Sequence, residues 1–366
     1  MLMKKLAFGF MRLPENEEGK IDYAETKEMV DLFIDAGFSY FDTAYNYHDQ
    51  QSEIAIRECL VKRYDRKQFL LTDKLTFSYF EKEEDLPQFF AKQLEKTGVD
   101  YFDTYLIHSL TRKNYEKYLA ANSFEFLRKL KAEGKVKRIG FSFHDTADFL
   151  DQILADHPYM EVVQLQFNYL DFYDPEVQSY ECYKVCEKHD KTILVMEPVQ
   201  GGNLASLPPE ARAILDDFTA GGSYASYAIR FAASFPRVEH VLSGMSTLEQ
   251  VEDNISYMKD FRPLTSNEYI ALEEVRKILL EVEKIPCTAC DYCLEGCPTE
   301  IPISEIIALL NEYNKTKDDS LSEQYKQLVN GRGRASECIA CGDCENICPQ
   351  HLEIIQHMEA AAAAFE

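Results

Sequence analysis

Short apolar runs alternate with amphipathic segments from residue 5 to about residue 258. The segment YAETKEMVDLFIDAG has apolar residues three and four positions apart and ends at a glycine, as an amphipathic helix does. Eight apolar runs are strand-like: KKLAFGF, SYFDTA, QFLLTDKL, DTYLIHS, VKRIGFSF, VVQLQFN, TILVMEP and HVLSGM. A helical segment follows nearly every run, and this rhythm over roughly 250 residues predicts a (β/α)8 TIM barrel. An open doubly wound sheet is the alternative, but no G-x-G-x-x-G follows the first run.

The pattern changes at Pro286, where the strand rhythm stops and cysteines become frequent. A helix that begins near Thr265 or Ser266 precedes this change. An acidic, lysine-containing helical stretch then separates two groups of cysteines, and the tail MEAAAAAFE reads as a terminal helix or a frayed end. The sequence therefore predicts an α/β barrel over residues 1–262, a helical connector over 263–285 and a small, mainly helical domain over 286–366.

Composition and charge narrow the classes of partner. Hydrophobic residues make up 46% and charged residues 28% of the 366, as in ordinary globular proteins. No apolar run approaches the ~18 residues of a membrane span, and the first residues lack the features of a signal peptide, so we expect a cytoplasmic protein. The net charge of −24 disfavours nucleic acid and anionic membranes as partners. It suits solubility or docking to a basic partner.

The eleven cysteines are arranged in a way that predicts metal clusters. CTACDYCLEGCP and CIACGDCENICP share the spacing C-x2-C-x2-C-x3-C-P, which is that of bacterial [4Fe–4S] ferredoxins. Three thiolates on a tight loop reach three corners of one cubane, and the fourth faces the other cluster. One predicted ligand set is Cys287, Cys290, Cys293 and Cys348; the other is Cys338, Cys341, Cys344 and Cys297.

Zinc is the alternative metal, because these runs also supply four thiolates per site. The third internal cysteine and the trailing proline of each motif argue against it. With the helix-like segments SEIIALLNEYNKTK and SLSEQYKQLVN between the motifs, the region resembles α-helical two-cluster ferredoxin modules of electron-transfer subunits. Cys59, Cys182 and Cys186 lie outside the motifs and are predicted to be packing residues.

Polar residues follow three successive strands of the predicted barrel, at the edge where barrel enzymes place their active sites. The second strand ends in FDTAYNYHDQQSE, the third in LTDKL and the fourth in YLIHS. These segments resemble the catalytic segments of the aldo-keto reductase superfamily over roughly residues 5–260. The resemblance implies a catalytic tetrad of Asp42, Tyr47, Lys74 and His108, with Glu53 in its usual place downstream.

Carbonyl reduction by hydride explains why such residues are needed. Charge develops on the carbonyl oxygen, and a proton must reach it as it forms. A phenol with a pKa of ~10 is a poor acid at neutral pH unless a cation lies beside it. Lys74 supplies that cation to Tyr47, Asp42 holds Lys74, and His108 orients the carbonyl. Tyr45, two residues before Tyr47, is the less favoured acid.

At the nicotinamide end of the implied cofactor site, the resemblance places two amide-binding residues on Ser142 and Gln164. The family's asparagine after that serine is replaced by Phe143. The aromatic residue that stacks on the nicotinamide ring is replaced by Met196, whose thioether packs on a ring face less specifically.

The adenosine end departs further from the family pattern. The lysine and arginine that clamp the 2′-phosphate of NADPH in many members fall on Gly244 and Gln250. Asn254 is kept, and Ser246 and Thr247 remain as hydrogen-bond donors. Without the two cations a 2′-phosphate loses its best partners, so the preference between NAD(H) and NADP(H) is left open.

The resemblance implies an oxidoreductase that interconverts a small-molecule carbonyl compound and its alcohol with NAD(P)(H), fused to a two-[4Fe–4S] electron-transfer domain. A nicotinamide transfers two electrons as hydride, whereas a cluster accepts one at a time, so either a flavin or a redox partner protein connects them, or the clusters serve a partner or stabilise the fold. One alternative is an electron-transfer subunit whose barrel is a docking scaffold or a flavin-dependent partner site. A redox sensor is the other alternative.

Overall fold

Parallel strands close into a barrel in chain order in the computed structural model, which describes residues 4–218, 222–282 and 284–366. Each strand pairs with its sequence neighbours, and the first pairs with the last through Phe8 and Ser243. Within the described residues the barrel has eight strands: β1 Leu6–Gly9, β2 Tyr40–Asp42, β3 Leu70–Leu75, β4 Phe102–Leu110, β5 Val136–Phe143, β6 Val162–Gln166, β7 Thr192–Met196 and β8 Val238–Ser243. This architecture confirms the predicted (β/α)8 fold class.

Helices lie between the strands and after the last strand. They are α1 Tyr23–Asp35, α2 Ser52–Ile56, α3 Leu86–Thr97, α4 Tyr115–Ala120, α5 Ser123–Ala132, α6 Ala147–Asp156, α7 Ser179–Lys188, α8 Pro209–Asp216, α9 Tyr224–Ala233, α10 Leu248–Met258 and α11 Ser266–Leu280. The Asp22 carboxylate caps α1 by accepting hydrogen bonds from the backbone of Ala24 and Glu25. The helix then buries Met29, Val30 and Phe33 at helical spacing.

The strands read as continuous apolar runs because helices cover one face and the barrel interior fills the other. A layer of the interior is formed by Ala7, Tyr40, Leu106, Val162, Leu194 and Leu242. Gly140 permits the close approach of β5 to β6, since a Cβ there would lie 1.9 Å from the Val162 carbonyl oxygen. This packed interior fixes the strand ends from which polar side chains project.

The chain divides into two compact units. The first contains the described residues up to Val199 and those from Leu204 to Arg276. The second contains Gln200–Asn203 and the described residues from Lys277 onward. The helices of this second unit beyond α11 are α12 Tyr292–Glu295, α13 Ile303–Thr316, α14 Leu321–Leu328, α15 Asp343–Ile347 and α16 Ile354–Phe365.

The second unit has its own hydrophobic core, in which α13 packs against α14 and α16. Phe365 of α16 stacks on Tyr325 with 5.2 Å between ring centroids and meets the edge of Tyr313 at 5.4 Å. The alanine-rich tail is thus helical and packed. Nowhere in the described ranges is a helix both long and apolar enough to cross a bilayer.

Candidate active site and cysteine-lined cavities

Asp42, Lys74 and Tyr47 meet at the carboxyl ends of β2 and β3. Lys74 Nζ lies 2.5 Å from Asp42 Oδ1 and 3.3 Å from Tyr47 Oη, and it also donates to the Thr43 carbonyl oxygen at 2.8 Å. The side chains of Lys74 and Asp42 are only 1% and 5% exposed. The ammonium is therefore held between a carboxylate and a phenol with almost no access of water.

His108, from β4, completes the group. Its ring meets the Tyr47 ring edge-on with 6.0 Å between centroids. His108 Nδ1 shares a hydrogen bond of 2.8 Å with the Thr76 hydroxyl, and the Tyr118 hydroxyl donates to the His108 carbonyl oxygen at 2.6 Å. Burial, reinforced by the nearby Lys74 ammonium, holds the pKa of His108 well below its usual value. The imidazole is therefore neutral near pH 7.

Opposing effects act on the Asp42 carboxyl group. Complete burial raises its pKa, while the charge and hydrogen bond of Lys74 and the Gln164 amide favour the carboxylate. Gln164 Nε2 lies 3.3 Å from Asp42 Oδ2. The ion pair is therefore fixed from both sides, by Lys74 on one oxygen and Gln164 on the other.

Tyr45 lies in a different environment from Tyr47. Its ring packs against Tyr79 at 4.5 Å and Phe89 at 4.9 Å between centroids, and the Lys96 ammonium lies 4.0 Å from its ring centre. These are packing contacts on the helix-covered side of the barrel, so the geometry favours Tyr47 as the acid.

Thr76 and Gln93 support the site through hydrogen bonds, and neither is among the residues predicted from the sequence. Thr76 lies two residues after Lys74, so strand alternation was the available signal for its position beside the tetrad. Gln93, on α3, donates to both the Lys74 carbonyl oxygen at 2.9 Å and Asp73 Oδ1 at 3.1 Å. These hydrogen bonds join α3 to β3, and no local sequence pattern predicts them.

A buried carboxyl pair lies behind β3. Burial and the neighbouring Glu53 raise the pKa of Asp73 well above its usual value. Glu53 is itself fully buried and forms an ion pair of 2.6 Å with Lys96. These groups hold the outer face of the strand that carries Lys74.

Of the residues predicted for the nicotinamide end, Ser142 and Met196 lie at or next to the ends of β5 and β7, whereas Gln164 lies in the middle of β6. The Ser142 hydroxyl accepts a hydrogen bond from the Ser109 backbone at 2.7 Å, and Gln164 donates to Asp42. Met196 ends β7 and is partly exposed, while Phe143 is buried. The partly exposed thioether at a strand end is compatible with a planar ring above it.

The positions proposed for the adenosine end surround the start of α10. The Thr247 side chain caps this helix by accepting from the Gln250 backbone, and Gln250 Oε1 accepts from the Ser246 backbone at 2.7 Å. Asn254 is buried and donates to Ser243 Oγ at 3.2 Å. The positions predicted for the adenosine end therefore gather at the capped N-terminus of α10.

Two cavities in the second unit are lined by cysteines from both motifs. One cavity is lined by Cys287, Cys290, Cys293 and Cys348. The other is lined by Cys297, Cys338, Cys341 and Cys344. Each motif thus contributes three cysteines to one cavity and one to the other, which is the division that the spacing predicts for two cubane clusters.

The donor set fits iron–sulfur clusters better than single ions. In the described part of the chain, no group of three or more His, Cys, Asp or Glu side chains is close enough to hold one metal ion. A cubane binds each thiolate through a different iron and so needs thiols further apart than a tetrahedral zinc site does.

The cysteines outside the two motifs lie in a different environment. Cys59 and Cys182 are buried thiols, and burial raises their pKa to about 11 and about 12. Cys186 is also fully buried.

Comparisons with known proteins agree with both units. The aldo/keto reductase family model matches residues 5–277, and a 4Fe-4S dicluster domain model matches residues 286–353. The 9,11-endoperoxide prostaglandin H2 reductase of Trypanosoma cruzi is 28% identical over 51% of this chain and 61% of its own length. The NADH-specific methylglyoxal reductase of Escherichia coli is 24% identical over 54% and 62%. The chain therefore spans about three fifths of the length of these two relatives.

A solved structure shows the same barrel. The aldo-keto reductase from Klebsiella pneumoniae in complex with NADPH superposes with a TM-score of 0.61 at 19% identity, covering 75% of this chain and 96% of that chain. This likeness concerns the fold alone. The family match extends over most of the chain, and together with the barrel it shows that this protein belongs to the aldo/keto reductase family and carries a C-terminal 4Fe-4S dicluster domain.

Proposed function

We propose that the barrel reduces a small carbonyl compound to an alcohol, or catalyses the reverse reaction, with a nicotinamide dinucleotide and with Tyr47 as the proton donor. The observation that carries this proposal is the position of Lys74 Nζ, 3.3 Å from Tyr47 Oη and 2.5 Å from Asp42, in a buried group at the strand ends. Relatives named as methylglyoxal and prostaglandin endoperoxide reductases support a small-molecule substrate.

A nicotinamide dinucleotide, when bound, would supply hydride to the carbonyl carbon. Tyr47 Oη gives its proton to the carbonyl oxygen as negative charge develops there, and the phenolate is later reprotonated from solvent. Lys74 stabilises the negative charge left on Tyr47 Oη, and the Asp42 carboxylate keeps the ammonium in place. Neutral His108 orients the carbonyl by donating a hydrogen bond from its second ring nitrogen.

Ser142, Gln164 and Met196 are our candidates for the nicotinamide end of the cofactor site, and residues 244–254 for the adenosine end. The loss of the two family cations at Gly244 and Gln250 argues against a dominant contribution from a 2′-phosphate. The family contains both an NADH-specific relative and a structure solved with NADPH, so both cofactors belong in the assay.

We propose further that the two cysteine-lined cavities hold [4Fe–4S] clusters, which supply one-electron transfer when bound. The cavity lined by Cys297, Cys338, Cys341 and Cys344 is the more accessible of the two, and it is our candidate for electron exchange with a redox partner protein. Cys341 is exposed, and the adjacent Ile339 is 64% exposed. None of the comparisons reported above supports a bound flavin, so the partner is the favoured means of passing single electrons.

The experiment that tests the barrel's role compares Tyr47→Phe with Tyr45→Phe in anaerobically purified full-length protein. With NADH or NADPH and methylglyoxal as the trial carbonyl substrate, Tyr47→Phe lowers kcat by about 10²-fold or more. Tyr45→Phe keeps the buried ring and changes kcat little. If wild type reduces no carbonyl in a panel of aldehydes and ketones, the docking-scaffold alternative is favoured instead.

A second measurement asks whether the two units exchange electrons. Cluster absorbance near ~400 nm and the EPR signal of reduced clusters are followed after NADH, NADPH or dithionite is added. Bleaching by a nicotinamide would mean one connected electron path and a mediator to be identified. Reduction by dithionite alone means that the clusters exchange electrons with a partner protein.

A further inference from the structure

The segment Gln200–Asn203 lies between β7 and α8 in the sequence, but it belongs to the second unit. Strand β7 ends at Met196, which is our candidate for contact with the nicotinamide ring. The end of this barrel strand is therefore joined to a piece of the second unit by residues 197–199 alone.

Two contacts within the second unit hold the segment. A Cβ on Gly201 would lie 2.5 Å from the Thr288 carbonyl oxygen and 2.8 Å from Thr288 Cα, so a glycine is needed for the two backbones to come this close. Lys284 Nζ also donates to Asn203 Oδ1 at 2.6 Å. The segment is therefore supported by residues 284–288.

The backbone that supports Gly201 belongs to the first cysteine motif. Thr288 is 3% exposed and lines the same cavity as Cys287, Cys290, Cys293 and Cys348. We call residues 287–293 the first cysteine loop. The loop that presents three thiols to this cavity is therefore also the loop on which the segment after β7 packs.

The backbone of residues 197–202 needs such support. Glu197 and Gln200 have φ angles of 52° and 48°, a left-handed conformation that residues other than glycine seldom adopt. Gly201 and Gly202 follow with φ angles of 62° and 101°. Conformations of this kind persist where surrounding contacts hold them, so losing the contact with the first cysteine loop would let the segment relax.

We propose that the cavity lined by Cys287 and Cys348 shapes the nicotinamide end of the cofactor site, and this inference rests on the proposed function. When a cluster occupies that cavity, its thiolate bonds fix the first cysteine loop. Through Gly201 the fixed loop keeps the backbone that follows Met196 in its left-handed conformation. This cavity therefore has a structural role in dinucleotide binding that is separate from electron transfer.

The two cavities differ in this respect. Among the described residues that line them, Thr288 lines only the cavity of Cys287 and Cys348. Loss of the cluster from this cavity is therefore expected to weaken the binding of NADH and NADPH more than loss of the other cluster does, although each loss removes the same amount of iron.

The first experiment disturbs the contact without changing a cysteine. Gly201→Ala places a Cβ against the Thr288 carbonyl oxygen, whereas a Cβ at Gly202 meets no described atom within 4 Å beyond its chain neighbours. Both substitutions put a side chain on a left-handed backbone, so the pair isolates the contact. In anaerobically purified full-length protein, Gly201→Ala is expected to raise the dissociation constants of NADH and NADPH about tenfold, and Gly202→Ala to raise them less. Fluorescence titration measures the constants.

Hydrogen–deuterium exchange provides a readout that does not depend on activity. Cys287→Ser removes a thiol from the cavity that Thr288 lines, and Cys341→Ser removes one from the other cavity. In peptides that cover residues 197–205, Cys287→Ser is expected to speed amide exchange about tenfold or more, and Cys341→Ser to speed it less. The dissociation constant of NADH is expected to rise in the same order.

The outcomes separate this inference from the proposed function. Equal affinities in wild type and Gly201→Ala overturn the inference while the cofactor proposal stands. Equal losses in Gly201→Ala and Gly202→Ala assign the effect to backbone strain and overturn the role of the Thr288 contact. Equal exchange in the two cysteine variants overturns the assignment to one cavity.

Wild type that binds neither NADH nor NADPH overturns the proposed function and, with it, the role in dinucleotide binding. The exchange of residues 197–205 then still shows whether the first cysteine loop holds the segment. Iron content and thermal unfolding show whether each variant is folded. If the cysteine variants are not, the two glycine variants provide the test, and Lys284→Met, which removes the hydrogen bond to Asn203, replaces Gly201→Ala if that variant does not fold.

Discussion

Lys74 Nζ and Asp42 Oδ1 are 2.5 Å apart in a part of the barrel that excludes water almost completely. A buried ion pair gains little net stability, because the attraction between the charges mainly offsets the cost of removing them from water. Losing one partner is different, since the remaining charge is then buried without compensation. The free energy of unfolding therefore depends on Asp42 and Lys74 together, and so does the chemistry that we propose for them.

Replacing Lys74 by Met should lower the free energy of unfolding by about 3–5 kcal/mol, because Asp42 is left unpaired. The double variant Lys74→Met/Asp42→Asn should recover part of this loss, although both variants lose carbonyl reduction. Denaturant titration measures the effect. Lys188→Met, which breaks the exposed pair with Asp151, is the control and should cost less than about 1 kcal/mol. Equal losses in the single and double variants would contradict the coupling.

Thr76→Val should lower kcat/KM by about tenfold or more while leaving the barrel folded. The Thr76 hydroxyl is 2.8 Å from His108 Nδ1, and a hydrogen bond donated there keeps the imidazole proton on the nitrogen that faces the substrate. Thr76→Ser retains the hydroxyl and should restore most of the activity. Steady-state kinetics of the two variants decide this, and an equally impaired serine variant would point to packing instead.

His240 should make the protein less stable at acidic pH. It is buried at 4% exposure against Tyr40, and burial, with Arg138 and Lys5 nearby, lowers its pKa to about 3. The unfolded chain, in which a histidine has a pKa of ~6.5, takes up the proton first.

The contribution of His240 to the free energy of unfolding is therefore constant above pH ~6.5 and falls towards pH 3 by up to about 1.4 kcal/mol per pH unit. Urea titrations between pH 7 and 4 measure this slope. His240→Leu, which keeps an apolar side chain against Tyr40, should flatten it relative to wild type. An unchanged slope would assign the acid sensitivity to other groups.

Cys348→Ser should remove the same cluster as Cys287→Ser, although the two positions belong to different motifs. Both cysteines line one cavity, whereas Cys344 lines the other. Each variant should lose about half of the iron and one of two EPR components, if each cavity holds one cubane. Cys182→Ser, in a buried barrel helix, is the control and should keep its full iron content. Different spectra in the Cys348 and Cys287 variants would contradict the shared cavity.

The strands were predictable because a parallel barrel buries both faces of each strand and leaves a continuous apolar run. The tetrad could be located because its members follow three successive strands with the family's residue types. The structure brings Asp42, Tyr47, Lys74 and His108 together, and their catalytic roles remain our proposal.

The π-helical turn Arg57–Val61 after α2 was not predicted from the sequence, because its periodicity is close to that of an α-helix.

Contacts between distant segments account for what the sequence did not reveal. Gln93 and Thr76 support Lys74 and His108 through tertiary hydrogen bonds. Arg12, which follows the first strand, packs against Gly244, which follows the last strand of the barrel. The assignment of Gln200–Asn203 to the second unit likewise depends on packing that no local pattern encodes.

The crossed lining of the two cavities has a consequence for how the domain is made. A nascent chain that has emerged only as far as Cys297 presents three thiols of one cavity and a single thiol of the other. The set of Cys297, Cys338, Cys341 and Cys344 is complete only when Cys344 has been synthesised, and the other set only when Cys348 has been, in both cases after α13 and α14, which lie between the motifs. A cluster in either cavity can therefore be fully ligated only after the residues of α13 and α14 have been translated.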